Sequence, residues 1–142
     1  MRPRRLNAIE QMQAATTLLL EGTQSIAPWE WDQAYWAALA IIKTPHEEAV
    51  LELVREAMPH SWDPLEIRTA PAQIRRAAGV WGGLMTDQRF FVLDPDADPM
   101  MYAAWWPWGS RLKFSLRVSC SARAEAVIKA DPQARLRGWF GL

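Results

Sequence analysis

Two histidines, one cysteine and sixteen carboxylates are the side chains of this 142-residue chain best suited to bond-making chemistry. His46 and His60 have no Cys, Asp or Glu at a zinc-ligand spacing, so no complete metal shell can be named. Asp94, Asp96 and Asp98 match the start of a calcium loop. Pro99 stands where that loop needs glycine and Trp105 where it needs its bidentate glutamate, so the segment reads as a turn. Cys120 lies at a strand end between two serines; a nucleophilic role needs a base, the chain has two histidines to supply it, and the residue reads as a buried or inert thiol. Gly79, Gly82 and Gly83 lack the Lys-Ser/Thr ending of a phosphate loop. The remaining acids are scattered over helical stretches, with nothing to single out a catalytic pair. The reading is a protein without catalytic residues, metal or cofactor.

Residues suited to binding are more numerous. Nine tryptophans are many for this length, and Trp and Arg are the side chains that most often anchor interfaces. Net charge is zero, yet unevenly spread. Residues 6–67 hold ten acids against two bases, and residues 107–142 hold seven bases against two acids. Such a dipolar chain can orient on a charged partner, or its acidic helices can neutralise a basic sheet internally. Glu48, Glu52 and Glu56 recur every four residues and form an acidic ridge on a predicted helix, where they repel by about 0.2–0.5 kcal/mol per pair. Trp29 and Trp36, seven apart, are expected on the second face of another helix, and Trp139 with Phe140 in an aromatic, basic tail. Arg111, Lys113 and Arg117 alternate along the last strand, with Trp105, Trp106 and Trp108 nearby, the ingredients of single-strand nucleic-acid binding. A pI near 6.7 weighs against that alternative, because nucleic-acid-binding domains are usually basic.

The elements that would position these groups divide into a helical half and a strand half. Asn7 and Glu10 form a capping box for a helix over 8–21, stopped by Gly22. A second helix is expected from Pro28, burying Trp31, Tyr35, Ala38, Leu39 and Ile42 at helical spacing. Thr44-Pro45-His46-Glu47 reads as a capped start of a third, burying Val50, Leu53, Val54, Ala57 and Met58. Residues 60–63 read as an irregular link and 71–81 as a further helix ended by Gly82-Gly83. Strands follow over 89–93, 100–106 and 111–119 as a meander, the last with one buried and one solvated face. Ser121 is expected to cap a short helix to about Ala130. This is an α+β chain in one domain over 1–142: N-terminal helices on a three-stranded antiparallel sheet, then a short C-terminal helix. Residues 1–6 would be a loose basic arm and 132–142 a flexible tail. The longest apolar stretch, Ala37–Ile42, is far too short for a bilayer, Met1-Arg-Pro-Arg-Arg lacks the apolar stretch of a secretory signal, and a single cysteine fits a cytoplasmic protein.

In size, in its thirteen Arg against three Lys, in its single asparagine and in its lack of catalytic motifs, the chain resembles small phage-encoded regulators of host RNA polymerase, particularly those from phages of Thermus. The resemblance spans the chain loosely and carries over no individual residue. It implies a thermophilic host cytoplasm and a protein partner, RNA polymerase or its sigma factor, whose promoter recognition or elongation is altered. The ridge of Glu48, Glu52 and Glu56 would suit basic elements of such a partner. The sequence therefore supports a non-enzymatic, protein-binding regulator, with a nucleic-acid-binding module as the alternative and an enzyme without a recognisable motif third.

Overall fold

A computed structural model describes residues 6–121 and 132–142. It consists of an antiparallel six-stranded sheet with helices on both faces. The strands are β1 (Trp29–Asp32), β2 (Ala37–Lys43), β3 (His60–Trp62), β4 (Arg89–Val92), β5 (Met100–Pro107) and β6 (Lys113–Ser121). Their order across the sheet is β1-β2-β6-β5-β4-β3. The expected meander is present as β4-β5-β6, and the sheet is twice as wide as three strands because two segments read otherwise are strands.

The larger correction concerns Pro28 to Lys43. This stretch is a hairpin, β1 paired with β2 from Trp29↔Ala40 to Asp32↔Ala37, and not a helix. Ala37 to Ile42 is apolar without a break because strand β2 is covered on both faces over most of its length, the pattern of a fully buried strand. The smaller correction is His60–Trp62, a three-residue edge strand on β4 where an irregular link was expected.

Helices α1 (Ala8–Thr23), α2 (Glu47–Ala57) and α4 (Pro132–Trp139) cover one face, and α3 (Ala72–Val80) part of the other. The Asn7/Glu10 capping box is formed, with Glu10 N–H donating to Asn7 Oδ1 at 2.9 Å. Gly22 does not stop α1, which runs on to Thr23. A Cβ there would collide with the Leu53 side chain of α2, so the glycine lets two helices approach closely. Thr44–His46 is a 3₁₀ turn before α2, and the Thr44 hydroxyl donates to the Arg111 carbonyl at 2.7 Å instead of capping the helix. At α3 the expected stripe Ile74, Ala77, Ala78 and Trp81 is buried, and Gly82 and Gly83 follow at φ 88° and 80°, left-handed values that favour glycine.

The main core joins Met12, Leu19, Val50 and Val54 to the sheet residues Ala40, Ile42, Phe91, Met101, Trp105, Phe114, Leu116 and Val118. Leu136 and Phe140 complete it, so residues 132–142 are a docked helix and its C-terminal turn and not a flexible tail. Pro132 opens α4, where its missing N–H is harmless, and Gly141 at φ 73° turns the chain so that Leu142 N–H reaches the Arg137 carbonyl. Cys120 is buried in the same core. On the opposite face Ile74, Ala78, Trp81, Phe90, Val92 and Tyr102 form a second cluster. Of the helix expected from Ser121 to Ala130, Ser121 is the last residue of β6 and the remainder lies outside the described residues, as does the basic arm up to Arg5.

Candidate functional site: the uncovered half of the sheet

The register fixes which side chains share the α3 face. One row runs Glu30, Leu39, Arg117, Ala104 and Phe90; its neighbours are Ile41, Ser115 and Trp106, then Lys43 beside Lys113. Helix α3 covers the β4 end of these rows. The β1-β2-β6 end carries no helix among the described residues, and large apolar side chains stand open there: Ile41 at 38 % exposure, Tyr35 at 38 %, Trp36 at 51 % and Trp108 at 40 %. Pro28, Trp29, Glu30, Leu39 and Ile41 enclose a shallow hollow of about 290 Å³ at its margin.

Arg117 organises the centre of this half. Its guanidinium lies 4.6 Å from the ring centres of both Tyr35 and Trp106, and its Nε donates to Asp32 Oδ2 at 3.0 Å. Tyr35 meets Trp106 edge to face at 5.5 Å, and Trp106 meets Trp81 at 5.9 Å, which ties the hairpin to the α3 cluster. Trp106 Nε1 is buried without a hydrogen-bond partner among the described residues. The hairpin turn is held by Ser119, whose hydroxyl donates to the Trp36 carbonyl at 2.6 Å, with Trp36 in the left-handed region at φ 50°. Trp108 Nε1–H donates to Ser115 Oγ at 2.9 Å, and the Lys113 ammonium sits 5.4 Å from the Trp108 ring. Lys43 and Lys113 are both exposed and directly opposite one another, a like-charge pair that destabilises a sheet.

The residues singled out in the sequence therefore separate. Lys113 and Arg117 lie on this face, and Trp36 beside it on the turn. Arg111, in the left-handed region at φ 62°, pairs with Asp87 at 2.6 Å at the sheet end. Trp29 is half-buried, 4.7 Å from Phe140, and its Nε1–H donates to Thr23 Oγ1 at 2.8 Å; it shares no helix face with Trp36. Phe140 is buried and Trp139 half-buried against the main core. Glu48, Glu52 and Glu56 are exposed along α2, on the other side of the sheet from Lys43 and Lys113. The acidic ridge and the basic face are thus separated by the sheet and do not neutralise each other. Trp105 also turns to the main core, stacked 4.0 Å from Phe114, which leaves Trp106 and Trp108 as the tryptophans of β5 and its turn on the basic side.

Sequence reasoning missed Tyr35, Ile41, Lys43 and Asp32 as parts of this surface. A helix reading scatters them around an axis, and only the hairpin brings them to β6. No described helix is long and apolar enough to cross a membrane. The fold and site define an α+β chain with a half-covered antiparallel sheet. The chain matches no known family model, no curated protein and no solved structure.

Proposed function

We propose that this chain is a non-enzymatic protein-binding regulator that docks an apolar, acid-flanked segment of its partner on the uncovered half of the sheet. The observation that carries the reading is the placing of Ile41 and Trp108 beside Lys43 and Lys113, with Trp36 open at the turn at the other end of β2 and the acidic ridge on the far side of the sheet. Aromatic anchors supply affinity in such a surface, and separated charges supply orientation and encounter rate. RNA polymerase or its sigma factor is the first partner to test, on the sequence resemblance alone, with altered promoter recognition or elongation as the consequence.

Single-stranded nucleic acid is the second reading, since Trp106 and Trp108 share a side with Lys43, Lys113 and Arg117. It ranks lower because Arg117 already fills the space between Tyr35 and Trp106 and is paired with Asp32. Two lysines and two open tryptophans remain, beside Glu30, which is little for a backbone-tracking groove. Titration of the purified chain against polymerase, sigma factor and a labelled oligothymidine separates the readings. Protein binding that Trp108→Ala with Ile41→Asp weakens at least about tenfold, with the melting temperature held, supports the first. Oligonucleotide binding that collapses steeply with salt and is lost in Lys43→Glu with Lys113→Glu replaces it with the second.

A further inference from the structure

Strand β1 is the outermost strand on one side of the sheet, and its outer edge is open among the described residues. Beyond its pairing with β2, the one backbone bond of Trp29–Asp32 to another described residue is the turn contact from Tyr35 N–H to the Asp32 carbonyl, at 3.3 Å. An antiparallel edge strand turns the N–H and C=O of alternate residues outward, a template for a further strand. The opposite edge, β3, is three residues long and lies between Pro59 and Pro64, which cannot donate to such a ladder. Strand β1 has a proline only ahead of it, at Pro28.

Two hollows flank the start of this edge, one on each face of the sheet, and Pro28 and Trp29 line both. The hollow of about 290 Å³ on the α3 face also takes in Glu30, Leu39 and Ile41, the last shared with the docking surface. The other, of about 410 Å³, lies against the end of α1, where Leu20, Glu21 and Ala27 line it. The two faces of β1 differ in charge. Glu30 and Asp32 point to the α3 face; Asp32 is held by Arg117, whereas Glu30 is exposed and makes no ion pair with a described residue. On the other face Arg137 lies 5.4 Å from the centre of the Trp31 ring, so a cation arriving opposite Trp31 would meet another.

We infer that β1 is a strand-addition site for an extended segment of another protein in which basic and apolar residues alternate. The added main chain continues the sheet. A basic side chain lies opposite Glu30 with its stem along Leu39 and Ile41, and the alternate apolar side chains lie against Trp29 and Trp31 and reach the hollow beside α1. In such complexes backbone hydrogen bonds supply affinity and the alternating side chains supply specificity. A second copy of this chain is the poorer partner. A twofold antiparallel pairing of β1 with itself opposes residues of one face, so Glu30 would meet Glu30 or Asp32 of the copy, and like charges directly opposite are destabilising. The inference stands whether or not the docking surface binds a protein.

The test is a titration of the ¹⁵N-labelled chain with a capped peptide of alternating lysine and valine. The expected result is a saturable shift of the Trp29–Asp32 backbone amides, with nuclear Overhauser contacts between the peptide backbone and β1. Glu30→Lys, an exposed substitution, weakens this binding about tenfold and accepts a peptide of alternating glutamate and valine instead. Methylating either the valine or the lysine backbone nitrogens blocks one edge of the peptide or the other, so one of these two peptides loses binding and the other keeps it. Trp108→Ala, on the docking surface, leaves binding unchanged. No saturable shift, or binding that Glu30→Lys does not weaken, overturns the site. Equal behaviour of the two methylated peptides overturns strand addition, and loss of binding in Trp108→Ala moves the peptide to the docking surface. Shifts of β1 that grow with the concentration of the chain alone make a second copy the occupant and overturn the choice of partner.

Discussion

Replacing Arg117 by methionine keeps most of the aliphatic stem and removes the charge that Tyr35, Trp106 and Asp32 surround. Both members of the ion pair are 15 % exposed, so water screens them little, and Asp32 would be left with its carboxylate largely desolvated and, among the described residues, the Ala34 N–H as donor. Removing one partner of a fully buried pair costs about 3–5 kcal/mol, and two cation–π contacts contribute about 0.5–1 kcal/mol each. Allowing for the residual exposure, and for overlap between these terms, the expected loss is about 3 kcal/mol. With an unfolding entropy of about 2.1 cal/mol/K per residue, 142 residues lose about 0.3 kcal/mol per degree, so the melting temperature falls by about 10 °C. Urea unfolding of Arg117→Met, Asp32→Asn and the double variant measures the pair directly. A coupling of about 1.5–3 kcal/mol is expected, with the double variant closer to wild type than the two single losses added together. A loss below about 0.5 kcal/mol in Arg117→Met, or strict additivity, would refute the claim that this cation holds the hairpin to the sheet.

Three further outcomes follow from the packing. Trp29→Ala removes a ring packed on Phe140 and a hydrogen bond to Thr23, and should cost about 2–3 kcal/mol in urea unfolding, whereas Trp36→Gly relieves a positive φ and should leave stability unchanged or raise it by about 1 kcal/mol. Burial pushes the Tyr102 hydroxyl up to about 12 from an ordinary 10, so the folded state resists its ionisation. That stability is complete below pH 10 and drains away as pH rises towards 12, at about 1.4 kcal/mol per pH unit; Tyr102→Phe should unfold with a visibly shallower alkaline slope. Gly22→Ala should destabilise by about 1 kcal/mol despite alanine's better helix propensity, and Leu53→Ala in the same chain should remove that penalty, as read by thermal melts of the four-member cycle.

The parts of the fold that were legible in the sequence are those where local chemistry and tertiary role agree. Asn7 with Glu10 marks a helix start, the stripe from Ile74 to Trp81 marks a buried face, and Phe114, Leu116 and Val118 alternate as a strand does. The hairpin was illegible for three reasons. Ala37 to Ile42 is alanine-rich, which favours helix locally; Trp31, Tyr35, Ala38 and Ile42 fall by accident at helical spacing; and the turn between the strands puts Trp36, not Gly or Asn, at positive φ. Its strand state comes from β6, which pairs with it some eighty residues later at Ala38↔Val118, a contact no local window contains. The candidate surface inherits that blindness. Lys113 and Arg117 were visible as an alternating pair, but their companions Lys43, Ile41 and Tyr35 reach them only across the β2-β6 junction. The C-terminal segment was misread because its aromatics and glycines resemble a loose end, although Pro132 and Gly141 already bracket a short helix.

The place of β6 between β2 and β5 has a consequence for how the molecule is made on a ribosome. The hairpin β1-β2 and the group β3-β4-β5 are each contiguous in the chain, yet neither touches the other in the sheet until the strand ending at Ser121 is threaded between them. After β5 is made and before β6 is, the nascent chain therefore carries two half-sheets with a bare inner edge apiece, β2 lined with alanine, leucine and isoleucine and β5 with alanine and aromatic side chains. Productive folding waits for the last strand to emerge, and the interval before it does is when this sequence is most exposed to pairing with a neighbouring chain.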